Sequence, residues 1–265
     1  MKPKSPANAW VHKLFNSKDT FTRTTFDVNK DLKRVRLKEK INEGRTSEVY
    51  KTNFIGYVIR IIRGTYFEPK ALTPIDDPNG LTIAEDAYGF TKLMKHIKGE
   101  PLYGKGWIID HEIPVKQYKD AFEQILNLPN KTFAQYIQDV INIRKNGYDI
   151  DEINPNNFLL DGKRIRIVDL EKNPDITPKI LLRDFDPFVN KYHLAHLLRK
   201  MTLEDIYAFS ERIKYFYNKI INVAQQEGYN LNIEKTCDDG HAKREHLINY
   251  LYYKDWDIIK KLTKI

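Results

Sequence analysis

Asn157 and Asp169 are the side chains whose types and setting most clearly suggest cation chemistry. They lie in Asn154-Pro155-Asn156-Asn157-Phe158-Leu159-Leu160 and Ile165-Arg166-Ile167-Val168-Asp169-Leu170-Glu171, two apolar stretches joined by the basic turn Gly162-Lys163-Arg164. Short apolar runs around such a turn predict neighbouring strands. An amide and a carboxylate then reach adjacent strand ends, where hard oxygens can hold Mg²⁺ and leave positions for water and phosphate. The alternative is conformational, with Asn157 capping a turn and Asp169 capping the next loop. A second candidate is Asn42-Glu43-Gly44-Arg45-Thr46-Ser47-Glu48-Val49, whose small residues let backbone N–H groups approach phosphate oxygens. Taken alone, that segment is also an ordinary hairpin turn.

These residues need elements to position them. From Lys33, Val35, Leu37 and Ile41 alternate with Arg34, Arg36, Lys38 and Lys40, which predicts a strand with one apolar and one basic face. The basic face is a candidate docking surface for an acidic partner. Strands around Val49-Tyr50 and over Tyr57 to Ile62 follow at hairpin spacing, giving an antiparallel sheet. Ile83, Ala87, Phe90, Leu93 and Met94 recur at helical intervals and predict a helix over Leu81 to His96, with strand character returning over Trp107 to Val115. Beyond Asp120 the pattern turns helical, over Ala121 to Leu128 and Thr132 to Lys145. It is interrupted from Tyr148 to Asp169 and resumes in long helices towards Ile265. Thr202-Leu203-Glu204-Asp205 reads as a helix start.

Composition narrows the class. The chain has 265 residues, 30% of them charged, and its 44 basic against 36 acidic side chains give a formal net charge of +8. An aromatic share of 12% supplies bulk for a sizeable core and argues against a disordered chain. No apolar run approaches the roughly 20 residues that span a bilayer, and Met1-Lys2-Pro3-Lys4 opens no apolar signal segment. A single cysteine, Cys237, cannot form an internal disulfide, which fits a reducing compartment. The expected location is therefore cytosolic. The basic balance suits an acidic partner or a solubilising surface, and nucleic acid is not the expected partner.

In order and spacing, the segment from Leu37 to Leu198 resembles the protein kinase superfamily. Asn42, Gly44 and Ser47 fall on the three positions of the Gly-rich loop and Val49 on its valine. Arg60 falls on the ATP-binding lysine, Glu85 would be its ion-pair partner in the following helix, and Ile109 to Glu112, with Asp110 and Glu112, would form the adenine-binding hinge. Glu152-Ile153-Asn154-Pro155-Asn156-Asn157 occupies the catalytic-loop pattern and Asp169-Leu170-Glu171 the metal-binding motif. The resemblance thus implies that Asn157 and Asp169 are metal ligands, for Mg²⁺ or Mn²⁺, with ATP as cofactor. It further implies a bilobal α+β fold, with a small antiparallel N-lobe containing one helix (residues 31–115), a mainly helical C-lobe (116–265) and a peripheral or mobile leader (1–30).

Two departures from that pattern matter. Glu152 stands at the catalytic aspartate, and Asp149 and Asp151 lie close enough to substitute. Arg60 carries a planar fork where the pattern has a compact ammonium. The segment after Asp169 is too short for a regulatory activation loop, which is similar to the compact kinases that bacterial pathogens deliver into host cells. The expectation is an atypical protein kinase acting on a host protein, Ser or Thr rather than Tyr, delivered without a cleaved signal peptide. The alternatives are a pseudokinase scaffold that binds nucleotide or a partner, or a kinase-fold enzyme with a different transfer reaction or a small-molecule or lipid substrate.

Overall fold

The structure, a computed structural model, describes residues 26–43, 47–78, 80–104, 114–151, 155–233 and 246–263. The chain is mixed α and β and divides into two compact units, Met1–Lys98 and Gly99–Ile265. Within the first unit, Asp27 caps the short helix α1 (Val28–Asp31), its carboxylate accepting from the Asn29 N–H at 3.1 Å. Strands β1 (Leu37–Glu43), β2 (Ser47–Thr52), β3 (Tyr57–Ile62), β4 (Thr73–Pro74), β5 (Thr82–Glu85) and β6 (Thr91–Lys95) build one antiparallel six-stranded sheet in the order β1-β2-β3-β6-β5-β4. Ile59 pairs with Tyr50 on one side and Leu93 on the other, and Leu93 pairs with Ala84. This row is buried, with Val35, Leu37 and Phe54, in the unit's core.

Two expectations for this unit are corrected. The stretch from Leu81 to His96 is a hairpin, not a helix. Asp86 forms the turn, its Oδ1 accepting from the Tyr88 and Phe90 N–H groups at 3.0 and 2.9 Å, while Gly89 takes a positive φ of 69°. That turn chemistry, with β-branched residues at Thr82, Ile83 and Thr91, outweighs the helical spacing, which was accidental: Phe90 is exposed. Glu85 is therefore on strand β5, not on a helix. The second correction concerns Ile41, which does not continue the apolar face of Val35 and Leu37. Register irregularities on either side of Lys40 break the alternation and leave Ile41 exposed.

The second unit begins with β7 (Glu100–Pro101), followed by α2 (Val115–Leu126) and α3 (Asn130–Lys145). The interruption expected after Tyr148 consists of β8 (Tyr148–Ile150), β9 (Phe158–Asp161), β10 (Arg164–Ile167) and β11 (Leu170–Lys172). These make two small antiparallel sheets, β10-β9-β7 and β11-β8. Helices α4 (Asp186–Val189), α5 (Lys191–Leu198), α6 (Leu203–Gln226), α7 (Leu247–Tyr253) and α8 (Trp256–Thr263) complete the unit. Thr202 caps α6 as its sequence predicts, accepting from the Asp205 N–H at 3.1 Å. Ile206, Phe209, Ile213, Phe216, Ile220 and Val223 form the buried stripe of α6, at helical spacing. The Phe216 ring meets those of Phe122, Phe133 and Phe188 at centroid distances of 5.8 to 6.2 Å, inside the range of favourable aromatic pairs. Val115, expected to end a strand, opens α2 instead, because Pro114 sits where its missing N–H costs nothing. The rest of that expected strand lies outside the described residues. Among the described residues no helix is long and apolar enough to cross a membrane.

Candidate functional site

In the second unit the chain is arranged around Asp169. Strands β9 and β10 pair with Phe158 opposite Ile167, and the ladder extends one step further through the Val168 N–H, which donates to the Asn157 carbonyl at 2.9 Å. Strands β8 and β11 pair with Ile150 opposite Leu170. Asp169 is the junction between the two ladders, so it follows the residue bonded to Asn157 and precedes the residue opposite Ile150. The same junction brings in Asp151, whose Oδ2 accepts from the Asn157 side-chain Nδ2 at 3.0 Å. Asn157 is buried, and this bond turns its amide nitrogen towards Asp151 and leaves the carbonyl oxygen as a hard donor. Asn157, Asp169 and Asp151 are thus gathered by backbone pairing alone. Among the described residues no group of three or more His, Cys, Asp or Glu side chains is placed to hold a metal. Two carboxylate-bearing residues and one amide residue thus stand at or beside this junction, and hard oxygens are the ligand type that Mg²⁺ and Mn²⁺ take.

Asp149 is occupied elsewhere. Its Oδ1 accepts from Arg144 Nε at 3.1 Å and Nη2 at 3.0 Å, and from the Ile150 N–H at 2.9 Å. Arg144 also makes a two-pronged contact with Asp184, Nη1 to Oδ2 at 2.8 Å and Nη2 to Oδ1 at 2.7 Å, and donates to the Lys179 carbonyl at 2.5 Å. All five guanidinium N–H groups are satisfied. Burial opposes the Arg144 charge, yet the carboxylates of Asp184 and Asp149 prevail and hold its pKa above the ordinary value. This arrangement pins the end of α3 to the strand that leads into Asp151. Sequence reasoning missed it, although a signal was present: Phe133, Ile137, Val140 and Arg144 share the apolar face of α3, and an arginine there needs buried partners.

In the first unit, Asn42, Val49, Arg60 and Glu85 fall in one row across the sheet. Asn42 pairs with Val49, Val49 with Arg60, Arg60 with Lys92 and Lys92 with Glu85. Ser47 joins them on the same face, its hydroxyl accepting from Arg60 Nε at 3.3 Å. Asn42 accepts from the Glu43 N–H at 2.9 Å, a local turn bond at the end of β1. Two residues along β3 and β6 from Arg60 and Lys92, Val58 and Met94 face each other and are both buried. Gly44, Asp110, Glu112 and Glu152, with the hinge expected over 109–112, lie outside the described residues.

The strand expected from Lys33 begins only at Leu37, because Leu32–Arg34 is a single 3-10 turn, so Arg34 and Arg36 precede β1, and the basic residues expected to share its face are largely engaged within the chain. Arg34 pairs with Asp31 at 3.6 Å, and Arg36 donates to the Lys33 and Val35 carbonyls at 3.1 and 2.9 Å. Lys40 pairs with Glu43 and, at 3.4 Å, with Glu48. These contacts use the donors an acidic partner would need, so the surface is closer to charge-balanced than its sequence suggests. No protein-family model matches the chain, and no curated protein matches it either.

Proposed function

We propose that the chain is an ATP-dependent phosphotransferase in which Asn157 and Asp169 hold Mg²⁺ or Mn²⁺. The observation that carries this reading is the meeting of two strand ladders at Asp169, which gathers Asn157 and Asp151 around a carboxylate by backbone pairing. When bound, the metal would neutralise phosphate charge at the transferring group. Glu152 takes the acceptor's proton, a step general bases typically speed by about 100-fold to 10,000-fold. Asp151 orients Asn157, and Asp149 supports the loop through Arg144. Arg60, steadied by the Ser47 hydroxyl, offers a permanent positive charge to phosphate. A protein hydroxyl, Ser or Thr, is the proposed acceptor, in a host cell to which a bacterium delivers the chain. The three-residue strand β11 after Asp169 supports a compact enzyme, since the backbone returns at once to the Gly147 carbonyl through the Asn173 N–H.

One observation favours a second reading, a nucleotide-binding scaffold without turnover. Glu85, the expected helix partner of the phosphate-binding cation, sits on β5 opposite Lys92. Incubation with ATP labelled at the γ or the α phosphate separates the readings. Transfer from γ alone supports the phosphotransferase, transfer from α indicates nucleotidyl transfer, and no transfer despite binding leaves the scaffold.

A further inference from the structure

We draw no further inference here: the strongest candidate, the exposed and stacked Tyr88 and Phe90 rings on the turn between β5 and β6, carries nothing because no feature of the structure shows what covers them.

Discussion

At the residue scale, Arg144 shows how a buried charge can serve the site without touching it. Its guanidinium is 1% exposed and Asp184 is fully buried, so removing one partner strands the other. Arg144→Met should therefore lower unfolding free energy by about 3–5 kcal/mol, measured by urea denaturation, because the buried Asp184 carboxylate loses its guanidinium counter-charge. Arg144→Lys should fall between, since an ammonium supplies charge but not the fork. A loss under about 1 kcal/mol in Arg144→Met would contradict the account. Glu48 gives a pH prediction of definite sign. The Tyr50 hydroxyl donates to it at 2.6 Å and, with Lys40, holds its pKa below the usual 4.5. The unfolded chain binds that proton more tightly, so this stability is present above pH 4.5 and is lost as pH falls through the folded-state value. Glu48→Gln should flatten the acid limb of a melting-temperature profile while changing it little near neutrality; an unchanged acid limb would show that Glu48 contributes nothing.

At the element scale, turns and caps decided what patterning alone left open. Thr202 was legible as a cap because its hydroxyl precedes an apolar-periodic run, and Thr202→Ala should cost about 1 kcal/mol in thermal unfolding, with no change arguing against the cap. The hairpin over Thr82 to Lys95 was not legible from spacing, since five apolar residues matched a helix by chance. Its signal was Asp86 followed by Gly89, a turn pair strong enough to override a weak period. The join of β7 to β9 depends on Gly99, where an added Cβ would lie 3.0 Å from the Leu159 Cβ and the Leu160 carbonyl oxygen. Gly99→Ala should therefore destabilise the β10-β9-β7 sheet, seen as faster amide exchange in Leu159 and Leu160. Gly89→Ala meets no atom within 4 Å and should cost only the strain of its positive φ, about 1 kcal/mol.

At the scale of the whole molecule, the sequence pointed to the second unit's donors more directly than to the first unit's cations. Asn157 and Asp169 stood out because their apolar flanks announced strands, and pairing in the structure carries them to one junction. The role of Asp149 could not be read, because its partner Arg144 is committed through Asp184, which lies far along the chain. The central claim is that Asn157 and Asp169 make nucleotide binding depend on a divalent cation, and the most direct measurement is the ATP-induced melting shift with Mg²⁺ and with EDTA. At ATP about 100-fold above its Kd, wild type with Mg²⁺ should gain about 2.7 kcal/mol, lose most of that gain in EDTA, and show the same loss in Asp169→Asn and Asn157→Ala with Mg²⁺ present. Equal shifts with and without metal, unchanged in both variants, would contradict it.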